Sequence, residues 1–384
     1  MIAQSPNLSC DQACKIAHNG YGLMVTAEVL PSERDQNFKL SAEDGRVFVL
    51  KITNGEEDRS FLEAQNQVMA RLQERHVTYC PELIKTQSEA DFSDVDVNGL
   101  TYAGRLITWL PGEVLASCKW HGPELMRHLG ACVGEVDCAL KGFDHAAFHR
   151  GDFPWDLRNA SAVIDRYMDQ VEDSQLRRQI DAVRANLSEY VVHRLPHLEQ
   201  SVIHNDANDY NVIVQHPAID QQQVAGLIDF GDMAHTYTVA GLAIAIAYTM
   251  LDKTDPLLAA SHIVEGYHGV LPLSDDELAV VFPMACGRLL SERKPTTDPP
   301  NPSAFTRHPS SFCRSHIPTR DQSVARGRAN TGRRMSIQEA SAFGGQLVQG
   351  GRLYRSSRPI AGHVAQAHVV GKIRMILGLD AKTE

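Results

Sequence analysis

The sequence predicts an α+β fold in two parts. A small, mostly antiparallel β lobe spans residues 1–110, and a larger, mainly helical lobe spans 111–290. Three observations carry this reading. Strand-forming apolar runs crowd the first hundred residues around a single helical stretch. After Pro111-Gly112, helical periodicity takes over, and only two short apolar blocks interrupt it, SVIHNDANDYNVIVQ and VAGLIDFGDM. From Ser291 the composition turns to Pro, Ser, Arg and Gly, and basic residues outnumber acidic ones, against the trend of the chain before it.

The first strand is expected over residues 23–31, LMVTAEVLP. The polar turn SERDQN follows, then FKL, then the turn signal EDG. RVFVLKIT is rich in β-branched residues and reads as a strong strand. Between Glu56 and Leu72 the apolar residues Phe61, Leu62, Val68, Met69 and Leu72 recur at helical spacing. Further strands are expected near 81–85 and 101–110, with Asn98-Gly99 favouring a hairpin between strand stretches. In the second lobe, 122–138 reads as a helix and 156–190 as two or more. Helices resume over 239–267 and 275–290. The apolar run Val239–Met250 is relieved by Gly241 and Thr249, and it falls short of the about 20 residues that span a bilayer. It reads as a buried helix.

A chain of 384 residues is long enough for two lobes, a sizeable core and a tail. The net charge of -10 argues against the whole chain being a nucleic-acid binder. An acidic protein that binds phosphates needs a local cluster of donors or a metal. The opening MIAQSPNLSC lacks a basic region followed by an apolar run, so no secretory signal is expected. Eight cysteines lie scattered without metal-ligand spacing, which reads as free thiols in a reducing cytoplasm. Neither a membrane nor a nucleic-acid partner is expected.

The most informative stretch is His204-Asn205-Asp206-Ala207-Asn208-Asp209-Tyr210-Asn211, directly after the apolar pair Val202-Ile203. Asp229 follows in LIDFGD. Two carboxylates and a carboxamide in loops after apolar strands suit a magnesium-nucleotide site. One carboxylate orients an attacking hydroxyl and accepts its proton, and the others are hard oxygen ligands. Asp and Asn clusters are also common turn formers, and it is the pairing of two such blocks that favours chemistry. Lys51, in VLKI, is flanked by apolar residues in a strand. The pattern alone allows a surface lysine or a phosphate ligand, and the two blocks favour the latter.

HNDANDYN resembles the H-x-D-x-x-x-x-N signature of the aminoglycoside phosphotransferase and choline kinase-like superfamily, and IDFGD resembles its metal-binding block. The resemblance covers about residues 15–290 and is nearest the hydroxylysine kinase branch, through SERDQNF, RLITWLPG, Trp155-Asp156-Leu157 and HNDANDYN. That branch also occurs as the leading domain of bacterial class III aminotransferase fusions. No aminotransferase portion is evident here.

The resemblance implies a protein-kinase-like bilobal fold with the nucleotide between the lobes. It implies that Asp206 is the catalytic aspartate, that Asn211 and Asp229 hold Mg2+, and that His204 braces the loop. Asp209 touches substrate or stabilises the loop. Lys51 is placed against the nucleotide phosphates with Glu63 as its partner, since a carboxylate fixes a long, flexible ammonium. SERDQN stands where protein kinases carry a glycine-rich loop, and backbone N–H groups with the Ser32 hydroxyl are candidates to cradle phosphate. Ile107, Thr108, Trp109 and Leu110 form the expected hinge around the base. The donor is GTP or ATP, with GTP characteristic of hydroxylysine kinases. The implied acceptor is a small amino alcohol, with 5-hydroxylysine ahead of choline, ethanolamine, homoserine and aminoglycosides. A non-catalytic nucleotide-binding module is the competing class. Residues 291–384 are expected to be a basic, low-order tail foreign to the family.

Overall fold

The computed structural model describes residues 6–32, 35–97, 99–171, 174–218, 221–251 and 253–291. It opens with a helix the sequence reading did not assign, α1 (Cys10–Tyr21). Ser9 and Gln12 form a reciprocal capping box at its start, and Gly22, at φ 68°, ends it in the left-handed region that favours glycine. Its buried face, Ala13, Ala17 and Tyr21, packs on the first sheet.

That sheet holds β1 (Val25–Leu30), β2 (Gln36–Ala42), β3 (Val47–Ile52), β4 (Leu83–Ile84), β5 (Ser93–Val97) and β6 (Leu100–Thr108). The strand order is β1-β2-β3-β6-β4, with β5 also paired to β6 and every pairing antiparallel. Phe38 and Leu40 on β2, and Phe48, Leu50 and Ile52 on β3, alternate into the core of this lobe. The Gly99 turn joins β5 to β6, so the hairpin strand is 93–97 rather than 81–85. Helix α2 (Arg59–Glu74), capped by Asp58, lies between β3 and β4 in sequence. Its residues Phe61, Ala64, Val68 and Leu72 belong to the core of the second lobe, so the hydrophobic cores do not divide at residue 110.

The second lobe contains α3 (Pro123–Leu140), α4 (Ala160–Tyr167) and α5 (Ser174–Asn186), with β7 (Glu113–Val114) ahead of them. It continues through β8 (Gln200–Ile203), β9 (Val212–Ala218), β10 (Gln221–Leu227) and β11 (Ala234–Tyr237). Helices α6 (Val239–Thr249), α7 (Pro256–Val270) and α8 (Asp275–Ser291) complete it. The apolar run at 239–250 forms the expected buried helix, with every residue of α6 in the interior. No helix among the described residues is long and apolar enough to cross a membrane. A small β-sheet lobe and a larger helical lobe thus make the expected bilobal, kinase-like α+β fold. The tail expected over 291–384 lies, beyond Ser291, outside the described residues.

Candidate active site

Two antiparallel pairings bring the polar blocks of the second lobe together. In the β9–β10 hairpin Val212 faces Leu227, and the Ile228 N–H donates to the Asn211 carbonyl at 2.9 Å. In the β8–β11 pair Ile203 faces Ala234. The loops 204–211 and 228–233 are therefore pinned side by side at both ends. Each contains a non-glycine residue in the left-handed region, Asn205 at φ 63° and Asp229 at φ 65°. Such conformations persist only where the surroundings over-determine them, and they cluster at functional sites.

His204 ties the loops to each other. Burial pushes its imidazole down to about 4, so the ring is neutral at neutral pH. Its Nδ1 accepts the Asp206 N–H at 3.3 Å, which leaves Nε2–H to donate to the Ile228 carbonyl at 3.1 Å. The ring also meets Phe230 edge-on at 4.8 Å.

Asp206 is 4% exposed. Its Oδ2 accepts from Asn208 Nδ2 at 3.0 Å and Asn211 Nδ2 at 2.8 Å. Its Oδ1 accepts from Arg288 Nη2 at 3.0 Å. Asn208 in turn shapes the loop, since its Oδ1 receives the N–H groups of Tyr210 and Asn211. The Asn211 amide nitrogen also reaches the Asp206 carbonyl at 2.9 Å, so the amide oxygen is the group this residue has left for a cation. Asp209 is half-buried, and its carbonyl accepts the Ala116 N–H at 2.8 Å.

Lys51 reaches across from the small lobe, with its Nζ 3.8 Å from Asp229 Oδ1. The lysine side chain is 14% exposed and the carboxylate 55%. The partner expected for Lys51, Glu63, is elsewhere. Helix α2 buries Phe61, Leu62, Ala64, Gln65 and Asn66, which turns Glu63 outward to pair with Arg59 at 3.4 Å. The inward face of α2 instead meets Arg105, which stands opposite Lys51 across β3 and β6. The Arg105 guanidinium is buried and donates to Asn66 Oδ1 at 3.1 Å and Gln65 Oε1 at 2.5 Å. Burial lowers its pKa, against the attraction of Asp35, Asp229 and Glu57.

Ser32 is exposed in the β1–β2 loop, where residues 33 and 34 of the SERDQN turn lie outside the described residues. In the hinge, Ile107 pairs with Val49 and Leu83. The Thr108 N–H donates to Glu82 and the Trp109 N–H to Val47, so both groups serve the sheet rather than standing open to a base. Trp109 carries the Lys39 ammonium over its ring at 5.1 Å, and Leu110 follows it at the lobe junction.

Residues 26–273 match the phosphotransferase enzyme family. Hydroxylysine kinase of Xenopus laevis is 33% identical over 297 residues, 72% of this chain and 79% of that protein. Hydroxylysine kinase of Mus musculus is 30% identical over 298 residues, 72% of this chain and 78% of that one. The chain belongs to the phosphotransferase enzyme family. Solved structures agree on the fold of this phosphotransferase. An amicoumacin kinase in complex with AMP-PNP and Ca2+ superposes with a TM-score of 0.55 at 15% identity, covering 74% of this chain and 84% of that one. A microcompartment-associated aminopropanol kinase gives the same score and identity, covering 74% and 88%. The fold and the family make this an enzyme acting on a small-molecule hydroxyl.

The sequence reading missed two arginines of this phosphotransferase, Arg105 and Arg288. Each is a charged residue inside an otherwise apolar run, RLIT and ACGRLL, and each is nearly excluded from water. That mismatch with the surrounding pattern was the available signal.

Proposed function

We propose that this phosphotransferase transfers the γ-phosphoryl group of GTP or ATP to the hydroxyl of a small amino alcohol, with 5-hydroxylysine as the leading acceptor. The observation that carries this is the buried Asp206, oriented by three donors, in a chain that is 33% identical to a hydroxylysine kinase over 297 residues. The acceptor hydroxyl lies against Asp206, which accepts its proton as the oxygen attacks the γ-phosphorus. The bond to the β-phosphate oxygen breaks in line, giving a phosphate ester and a nucleoside diphosphate, with no covalent enzyme intermediate. Lys51 holds the phosphates from the small lobe. Its Asp229 contact stands in for the Glu63 pairing, since Glu63 faces outward.

The donor set suits magnesium: the Asn211 amide oxygen and the half-exposed Asp229 carboxylate are hard oxygen ligands. When bound, the ion screens the phosphate charges. Nucleotide use is supported by structural neighbours that carry AMP-PNP and, in an aminoglycoside 2'-phosphotransferase with a TM-score of 0.52, GDP.

The test is a turnover panel with purified protein, magnesium, and ATP or GTP in separate arms. The acceptors are 5-hydroxylysine, ethanolamine, choline, homoserine and an aminoglycoside. Turnover of hydroxylysine supports the proposal. Turnover of another alcohol alone moves the assignment to that acceptor. Nucleotide binding without transfer to any of them supports a non-catalytic module instead.

A further inference from the structure

We propose that Arg288, on the last described helix, is the positioning residue that fixes the catalytic aspartate. The inference rests on the reading of Asp206 given above. Arg288 is 2% exposed, although it sits on a helix whose neighbouring buried residues are apolar. Each of its three nitrogens has a protein acceptor. Nε donates to the Tyr248 hydroxyl at 3.0 Å, Nη1 to the Trp155 carbonyl at 3.0 Å, and Nη2 to Asp206 Oδ1 at 3.0 Å. The rings of Trp155 and Tyr248 flank the guanidinium, at 5.2 and 5.8 Å from their centroids.

These contacts define the role. Three of its N–H groups are held by protein acceptors in three directions, which makes the guanidinium a brace on Asp206. It fixes Oδ1 of Asp206 while Asn208 and Asn211 fix Oδ2, so the carboxylate plane is held from both sides. An arginine suits this because its donors sit on three nitrogens of one rigid plane, whereas a lysine offers a single nitrogen on a flexible stem. The three anchors come from separate parts of the second lobe: Trp155 from the segment before α4, Tyr248 from α6 and Arg288 from α8. A shift in any of them moves the aspartate relative to the hydroxyl it must orient. Small displacements of that kind act on the rate of the chemical step rather than on nucleotide binding.

The experiment compares Arg288→Met, Arg288→Lys, Tyr248→Phe, Asp206→Asn and the Arg288→Met/Asp206→Asn double variant with the parent. Three quantities are read: kcat for the acceptor the parent turns over, KM for the nucleotide, and the slow hydrolysis of nucleotide by water. Arg288→Met is expected to lower kcat about 100-fold with the nucleotide KM within about twofold of the parent. Arg288→Lys restores part of the rate. Tyr248→Phe, which keeps the charge and removes one brace, lowers kcat about fivefold. The double variant loses no more than Asp206→Asn alone, because both changes act through one carboxylate.

A folded Arg288→Met with an unchanged Mg-nucleotide melting shift and a parental kcat overturns the proposal. So does a double variant whose loss is the product of the two single losses. If Arg288→Met does not fold, parental kcat in both Arg288→Lys and Tyr248→Phe overturns it as well. Water hydrolysis separates this proposal from the acceptor assignment. A parent that phosphorylates no alcohol but hydrolyses nucleotide in an Arg288-dependent way refutes the acceptor and leaves the positioning role standing. Arg288-independent hydrolysis in such a parent refutes the positioning role.

Discussion

Asp206 is a carboxylate nearly stripped of water, and its charge is met by one guanidinium and two amides. A buried ion pair contributes little net stability, but removing one member leaves the other uncompensated, at a cost of about 3–5 kcal/mol. Two substitutions of Asp206 should therefore behave differently. Asp206→Asn keeps an acceptor oxygen toward Arg288 but loses the charge and sets its own amide N–H groups against those of Asn208 and Asn211. It is therefore expected to melt below the parent by less than Asp206→Ala, retain its Mg-nucleotide shift, and lose about 10²–10⁴-fold in kcat. Asp206→Ala strands Arg288 and is expected to lose stability as well as rate. Thermal melting beside steady-state kinetics separates the two, and an Asp206→Asn enzyme with parental kcat would rule out the aspartate as the catalytic group. The loop around Asp206 was legible in the sequence because its geometry is local. Asn208 and Asn211 fold back on Asp206 within five residues, so the cluster shows as one stretch of sequence, while the roles of its members came from the family resemblance. Arg288 was not legible because its partner lies 82 residues away, and no local pattern records that pairing. Glu63 failed for a different reason: helical periodicity locates a face, and the neighbours of Glu63 took the buried one.

Helices α3 and α7 show what an element-scale reading adds. Gly130 on α3 and Gly266 on α7 lie where the two backbones nearly touch. A Cβ built on Gly130 falls inside contact distance of the Ile263 carbonyl oxygen, and one on Gly266 meets the Arg127 carbonyl oxygen. Neither glycine has a positive φ, so close approach rather than chain conformation requires it. Gly130→Ala is expected to force the helices apart and destabilise the lobe, despite the better helix propensity of alanine. A urea midpoint at or above the parent's would contradict that packing argument. The same interface buries Asp137, whose carboxyl accepts the Tyr267 hydroxyl at 2.8 Å. Burial pushes its pKa up to about 8, partly offset by the Tyr267 hydrogen bond. Because the folded-state pKa is raised, the contribution of this group is fully present below the unfolded carboxylate range near pH 4. It is lost as pH rises through about 8, by several kcal/mol. Asp137→Asn removes the titration, so its urea midpoint should fall less than the parent's between pH 5 and pH 8.5, and equal slopes would contradict the assignment. Helical patterning located α2 and α3 and a continuous apolar run located α6, but α1 and β11 were not assigned. β11 is four residues long, too short a window to read, whereas α1 carries a capping box and buried residues at i, i+4 and i+8 that the reading passed over.

At the scale of the molecule, every residue named for the site precedes the end of α8. Lys51 comes from the small lobe, Asp206, Asn211 and Asp229 from the two pinned loops, and Arg288 from the last helix. The family match ends earlier, at residue 273. Beyond Ser291 the sequence turns rich in Arg, Ser, Pro and Gly and poor in regularly spaced apolar residues. Ordering such a segment costs roughly 1–2 kcal/mol per residue in backbone entropy, with few apolar groups to offset it. A chain ended after Ser291 is therefore expected to keep the melting shift induced by Mg-nucleotide. Ending it at Ser291 rather than Leu290 matters, because the Ser291 hydroxyl donates to the Gly287 carbonyl one turn back and closes the helix that carries Arg288. A second truncation, after Met284, removes Arg288 and should retain at most the nucleotide shift while losing transfer. Loss of the nucleotide shift on truncation after Ser291 would show that residues 292–384 contribute to nucleotide binding. A retained shift with reduced transfer would instead place their contribution at the transfer step.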